Sequence, residues 1–408
     1  MPSASLAPSA QRVPVSRIRA LADVAFGMED VLFLQFGEST LPTPPYVIEA
    51  VNRAAQEGWT FYTANQGLPS LREAIAGLTW RLHAVNVDAT EIQIAAGGVQ
   101  ALNLAIKCVI DPGDEALVLS PNWPNGSAMI EMFGGRAVEI PMARQGRRFT
   151  PDLDALQAAL SPRTRLLLYA SPSNPLGWTA TVAEQQILLD FARRHGLWLL
   201  ADEVYERIYY GGSAHSAADT GQRQARYAGQ LAPSILQLCT RADAVIVVNS
   251  FSKTYRMTGW RLGWMVGRAD FVQKAAQLNE FIVSHAPTMV QRGGEAAIAQ
   301  GEDDIAAMVE EFQERRDFAA SLLRATPGVN LPEPEGAFYL FPQVEGVDDS
   351  YQFALDLLKK THVAVAPGSA FGNGGEGSIR ICYAPGMDVL RPAMERICDF
   401  VASQAANR

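Results

Sequence analysis

Between Pro69 and His83 the apolar residues Leu71, Ile75, Leu78 and Leu82 recur every three to four positions, behind a proline suited to a helix's first turn. That spacing predicts an amphipathic helix. Further on the pattern changes to short, nearly continuous apolar runs: QIAAGG, EALVLSP, RLLLYASPSNP, LWLLADE and AVIVVNS. Each run ends in a polar or glycine-bearing loop, and a helical pattern follows. Strands that are apolar throughout belong in a sheet covered on both faces, so the alternation predicts the α/β class: a large domain with a mostly parallel sheet between helices.

Two stretches break the rhythm. The segment from Ser216 to Ser234, SAADTGQRQARYAGQLAPS, is polar and small-residue-rich and reads as a surface insertion. After His285 the chain becomes helix-rich, with AAMVEEFQERRDFAASLLRAT as a long amphipathic helix and short strands around GAFYLFP and SIRICYA, as a smaller α+β domain requires. The expected division is an arm plus part of the small domain over 1–50, a large domain over 51–285, and a small C-terminal domain over 286–408. No internal repeat, heptad run or Gly/Ser linker separates them, so the domains are expected to pack together.

Composition narrows the function classes. With 408 residues, 48% of them apolar, the chain can bury a large core. Its 34 basic and 43 acidic residues give a net charge of -9 without a basic cluster, which argues against a nucleic-acid partner. The longest apolar runs, such as AVIVV, suit buried strands and fall short of a membrane span. Cys108, Cys239, Cys382 and Cys398 form no close pair and fit a reducing cytoplasm, and the five scattered histidines give no metal-ligand spacing. The N-terminus, MPSASLAPSAQRVPVSRIRALAD, carries no acid before Asp23; it reads as an arm entering a first helix, with a transit peptide as the alternative.

The candidate chemistry lies where the strands end. In open parallel sheets ligands bind outside the carboxyl ends of the strands, where loops and helix N-termini converge. Gly97 and Gly98 follow QIAA, Asn174 follows RLLLYA, Asp202 closes LWLLAD, and Ser250 and Lys253 follow AVIVV. Taken singly, each has an ordinary explanation: a glycine pair is a turn, a loop lysine a solvated charge, a strand-end aspartate a helix cap. Together they suggest more. Bare N–H groups at a helix N-terminus, with Ser250 and Arg261, suit an anion such as phosphate. A lysine near cations has reason to titrate low and attack a carbonyl. Asp202 could hold a pyridine nitrogen protonated, Tyr205 and Asn174 could bond a phenolic oxygen, and Trp123 could stack on a ring.

This set resembles the class I and II aminotransferases, the fold type I family that uses pyridoxal 5'-phosphate, over about Val31 to Cys398. GESTLPTP resembles the loop by the substrate, which brings in Gly37, and FYTANQGLPSLREAI resembles the segment whose tyrosine, here Tyr62, reaches a neighbouring subunit's cofactor phosphate. GGVQAL resembles the phosphate cup, so Gly98, Val99 and Gln100 are expected at the cofactor. SPNW gives the stacking Trp123, SNPLG gives Asn174, and ADEVY gives Asp202 and Tyr205. SFSKTYRMTGWRLGW is the most specific match, with Lys253 as the Schiff-base lysine and Ser250 and Arg261 on the phosphate; GSIRICYA gives Arg380 as the clamp on the substrate's α-carboxylate.

The resemblance implies a homodimeric, cytoplasmic aminotransferase that moves an amino group from an L-amino acid to a 2-oxo acid by a ping-pong route, with Lys253, Asp202 and Tyr205 catalytic. The alternative on the same scaffold is a lyase, a decarboxylase or an amino-acid oxidase. A sensor domain of a DNA-binding regulator would need a module ahead of this region, for which about thirty residues are expected to be too few. The sequence departs from the family pattern at Leu176 in NPLG and at Val99. A cis Asn174–Pro175 bond is expected. Ser284, His285 and Ala286 are expected near the mouth of a partner's site, and with no arginine placed by motif for a second carboxylate, the expected donor is neutral, apolar or aromatic.

Overall fold

The structure is a computed structural model that describes residues 4–11, 13, 15–211 and 231–406. At its centre is a seven-stranded sheet formed by β1 (Ile92–Ala95), β2 (Glu115–Ser120), β3 (Arg136–Pro141), β4 (Thr164–Ala170), β5 (Trp198–Asp202), β6 (Val245–Ser250) and β7 (Gly263–Gly267). The order across the sheet is β1-β7-β6-β5-β4-β2-β3. The pairings among β6, β5, β4, β2 and β3 are parallel, whereas β7 runs antiparallel to both β6 and β1.

The apolar runs are continuous because both faces of the sheet are buried. Leu166, Leu168, Leu200, Ile246 and Val248 pack into one cluster with Leu104 and Ala105 of the helix Gly98–Val109. Leu167, Tyr169, Leu199, Ala201 and Val247 face the opposite cluster with Leu188, Leu189 and Phe191 of the helix Val182–His195. Successive side chains of a strand point to opposite faces, so a strand between two helix layers needs an apolar residue at every position. The second helix is fixed at both ends: Thr181 and Glu184 form a reciprocal capping box, and Gly196 ends it in the left-handed region at φ 64.

The predicted helix over 69–83 is present as Pro69–His83, and the predicted long helix spans Glu302–Ala325. Within the central sheet, two strands are additions to the sequence reading. In β3, at the sheet edge, Ile140 is the fully buried residue, so no apolar run marks it. In β7, glycines at both ends, Gly263 and Gly267, resemble a loop in sequence.

C-terminal to the long helix, the strands Tyr339–Leu340, Ala366–Pro367 and Ile379–Cys382 form a small antiparallel sheet beside the helix Met387–Ala406. The start of the chain returns here. Leu32–Phe33 pairs in parallel with Val363–Ala364, Cys382 donates its N–H to the Leu34 carbonyl at 2.9 Å, and Arg17 reaches Ser369 at 2.8 Å. Of the expected surface insertion, Leu231 to Ser234 are described and buried, and the remainder lies outside the described residues.

Candidate active site

Six strands, β1 to β6, end on one rim of the sheet, and the antiparallel β7 begins there, with Gly263 paired to both Ser250 and Ala95. Residues just before β7 therefore sit beside residues just after the others. This brings Arg261 to the same rim as Gly98, although more than half of the large sheet separates them in sequence. A cavity of about 310 Å³ opens at that rim.

Its floor holds the two groups that define the chemistry. Lys253 lies in the short helix Phe251–Thr254 that follows β6, and its Nζ donates to the Gly37 carbonyl at 2.6 Å. Enclosure by protein, before any charge effect, lowers the Lys253 amine from its ordinary 10.5 to about 8, so its neutral form is far more populated near physiological pH than that of an ordinary lysine. Asp202, the last residue of β5, accepts an N–H from Val204 at 3.3 Å, and no cation among the described residues forms an ion pair with it. Burial raises its carboxyl from 3.8 to about 6, partly offset by the Val204 N–H and the charge of Lys253.

One end of the cavity is built for an anion. Gly98 and Val99 open the helix Gly98–Val109 and line the cavity, and the N-cap, Gly97, supplies no side chain to their N–H groups. Gly97 has φ 91, and a Cβ there would meet the Arg261 guanidinium, so only glycine lets the arginine lie against the turn. Arg261 donates to the Thr258 carbonyl at 2.7 Å and forms no described ion pair, and Ser250 lines the wall beside it. Trp123, in the loop after β2, lines the same space.

The other end is built around Arg380, which is nearly fully buried on the strand Ile379–Cys382. Its guanidinium is held between two rings, 4.6 Å from the centre of Tyr339 and 4.8 Å from that of Phe371. It donates to Asn174 Oδ1 at 2.9 Å and to the Gln35 carbonyl. The Asn174–Pro175 bond is cis, as expected. Tyr205 reaches across to Tyr339, their hydroxyls 2.7 Å apart, and burial together with that neighbour raises the Tyr205 hydroxyl well above its ordinary range.

Gly37, Gly98, Val99, Trp123, Asn174, Asp202, Tyr205, Ser250, Lys253, Arg261 and Arg380, all singled out in the sequence, line this one cavity. Gln100, expected here, does not line it, and Tyr62, expected to act on a neighbouring subunit's cavity, lies outside this one. The Gln100 amide accepts from the Ala96 N–H and donates to Asn279 Oδ1 at 2.6 Å, so it braces the start of its helix from behind. Tyr62 is 91% exposed and packs edge-on against His285 at 5.7 Å, away from the cavity. Sequence reasoning missed Tyr339, Gln35 and Arg19, which also line the cavity. The aromatic run GAFYLFP was the one signal for Tyr339; Gln35 and Arg19 carry none.

The family profile for aminotransferase class I and II matches residues 29–398. The chain belongs to this family. It is 34% identical over 385 residues to the aspartate aminotransferase of Pyrococcus horikoshii, covering 94% of this chain and 93% of that one. Among solved structures it is similar to a single mutant of Thermus thermophilus aspartate aminotransferase, with a TM-score of 0.87, 30% identity, and coverage of 97% and 100%. It is also similar to an aromatic aminotransferase from Pyrococcus horikoshii, with a TM-score of 0.84, 31% identity, and coverage of 94% and 99%. This aminotransferase shares the family's α/β fold with its mostly parallel central sheet, and the family depends on pyridoxal phosphate. The described residues fit that group: an anion cradle that a Cβ would fill, a buried carboxylate without a cation for a ring nitrogen, and an amine tuned toward neutrality between them.

Proposed function

We propose that this aminotransferase holds pyridoxal phosphate in the cavity and moves nitrogen between an L-amino acid and a 2-oxo acid by a ping-pong route. The observation that carries this reading is the convergence of Lys253, Asp202, Arg261 and Arg380, from separate parts of the chain, on one cavity. When bound, the cofactor supplies an aldehyde for the amino group and an electron-poor ring. Gly98, Val99, Ser250 and Arg261 would hold its phosphate, Asp202 would keep its ring nitrogen protonated, Trp123 would cover its face, and Tyr205 with Asn174 would bond its phenolic oxygen. Arg380 grips the substrate's α-carboxylate with two parallel donors, and Asn174 orients it. The Lys253 amine takes the proton from the substrate's Cα, a task for which a base near neutrality is suited.

The exposed apolar surface supports a homodimer. Phe61 and Tyr62 are 80% and 91% exposed, Phe281 is 86% exposed, and His285 packs against Tyr62. In the dimer Tyr62 reaches the partner's cofactor phosphate, and the residues around His285 lie by the partner's cavity. A monomer that kept full activity at nanomolar concentration would contradict this. Four free cysteines and the lack of a long apolar helix among the described residues accord with a cytoplasmic enzyme. The close approach of Gly293 and Gly294, in the helix Thr288–Gln300, to Val51, Phe251 and Leu262 supports a large domain that reaches past the expected boundary at 285.

The test separates transfer from lyase, decarboxylase or oxidase chemistry. Incubated with one amino acid and no acceptor, the holoenzyme yields one equivalent of 2-oxo acid per site and no free ammonia. Catalytic release of ammonia would assign the site to the other chemistry.

A further inference from the structure

We propose that Glu335, held by Arg148, is a positioning residue for the α-carboxylate end of the cavity: from outside the site it sets Asn174, Tyr205 and Tyr339 against Arg380. This rests on the aminotransferase reading and deepens it by naming what keeps the substrate grip in shape.

Glu335 is absent from the cavity lining but sits where three parts of that lining are joined. It shortly precedes Tyr339, whose strand pairs with that of Arg380 through Tyr339–Cys382 and Leu340–Ile381. Its N–H and that of Gly336 both donate to the Gly177 carbonyl, at 2.9 and 2.8 Å, which ties it to the loop that carries Asn174. Its carbonyl accepts the Tyr210 N–H at 3.1 Å, and the Ala337 N–H donates to the Ile208 carbonyl at 2.8 Å, which ties the same segment to the turn that carries Tyr205. The fit is close. A Cβ at Gly336 would fall 2.7 Å from Pro172 and 2.9 Å from the Thr179 hydroxyl, so the segment lies directly on the Asn174 loop and a shift of one carries the other.

The Glu335 side chain fixes the direction of that contact. It is 2% exposed, and one of its oxygens accepts the Thr179 N–H at 3.0 Å while the other accepts Arg148 Nε at 3.0 Å. Arg148, on the strand Arg148–Thr150, spends its remaining donors on Glu184 at 2.6 and 2.8 Å and on the Thr179 carbonyl at 2.8 Å. The Asn174 loop is thus held at Gly177 by the Glu335 backbone and at Thr179 by both side chains. A planar guanidinium can serve these partners at once, which a single ammonium cannot.

Stability alone gives little reason for such a pair. Taking a carboxylate and a guanidinium out of water offsets much of their attraction, and apolar residues of similar volume often fill such a place equally well. Burial raises the Glu335 carboxyl above its ordinary range even with Arg148 beside it. What the pair adds is orientation, and the groups it orients belong to the substrate end. None of its described hydrogen bonds goes to Gly98, Ser250 or Arg261 at the anion end.

The test reads the two ends of the cavity separately in Glu335→Gln, which keeps an acceptor for Thr179 and removes the charge that Arg148 meets. Propionate titrated into the holoenzyme, followed by cofactor absorbance, reports the carboxylate grip. Inorganic phosphate titrated calorimetrically into cofactor-free protein reports the anion cradle. The propionate dissociation constant is expected to rise by roughly tenfold, with the phosphate constant unchanged. For an amino donor that the parent turns over, KM rises while kcat changes little, as the loss of binding common to ground and transition states requires. Arg148→Lys, which leaves Glu335 its charge and removes the fork, should show the same split in smaller measure, and it carries the test where Glu335→Gln does not fold. Parental propionate affinity in the variant measured, or a parallel loss of propionate and phosphate binding, overturns the inference and leaves the transferase reading standing. A parent that takes up no pyridoxal phosphate fails the transferase reading and this inference with it.

Discussion

The Lys253 amine donates a 2.6 Å hydrogen bond to the carbonyl of Gly37, joining the residue after β6 to a loop more than two hundred positions earlier. Gly37 is narrowly fitted: a Cβ there would fall on the Tyr339 hydroxyl, and Tyr339 is fully buried. Gly37→Ala therefore displaces Tyr339 or Gly37, and with it the acceptor that aims the lysine. Such overpacking costs about 1–3 kcal/mol, and kcat/KM is expected to fall by about tenfold or more. Adding Tyr339→Phe, which removes the overlapping oxygen, should recover part of the loss. A Gly37→Ala enzyme with parental kinetics would show that the contact does not aim Lys253.

Lys253→Ala should abolish both turnover and the visible absorbance that appears when pyridoxal phosphate is added, with the far-ultraviolet circular dichroism unchanged. Among the described residues no other lysine lines the cavity. Retention of either signal would remove this amine from the mechanism.

The lowered Lys253 amine also sets a pH dependence. Its neutral form is the nucleophile, so the rate at which cofactor-free protein takes up pyridoxal phosphate should rise with pH and level off above about 8. The sign for stability is consistent: between about 8 and 10.5 the unfolded chain binds more protons at this residue than the folded one, so this contribution to stability increases with pH. Stopped-flow absorbance across that range checks the rate. A plateau reached only near 10.5 would mean the amine is unperturbed.

Glu203 behaves in the opposite sense. It is fully buried behind the sheet and accepts the Ile235 N–H at 3.0 Å; burial first, then the charge of Glu206, pushes its carboxyl from 4.5 to about 8. In that window the folded chain holds the proton and the unfolded chain does not, so its contribution to stability declines as pH rises from about 4.5 to about 8. Glu203→Gln keeps an acceptor for Ile235 and removes the charge. Its melting temperature relative to the parent should therefore increase between pH 5 and pH 8, as calorimetry would show; a constant offset would refute the shift.

What could be read from the chain follows from what is local. The buried strands announce themselves because residues such as Leu166 to Leu168 must be apolar on both faces, and the rim follows from where they stop. The cavity-lining set was legible because its members sit at strand ends or inside the lysine loop. Edge strand Arg136–Pro141 is half-exposed and lacked that signal. Gln100 was misplaced because one step along a helix turns a side chain by roughly 100°, from the cavity to the far side. Arg19, Gln35 and Tyr339 reach the cavity only through contacts between the chain's ends, such as Cys382 to Leu34, which no local pattern records.

The parallel pairing of Leu32–Phe33 with Val363–Ala364 fastens Arg19, Gln35 and Arg380 to one jaw of the cleft, opposite Asp202 and Arg261. Three latches join the jaws at the cavity: Lys253 to Gly37, Asn174 to Arg380, and Tyr205 to Tyr339. Gaping of the cleft would undo all three at once and carry Arg380 away from Lys253, leaving Gly98 and Arg261 together.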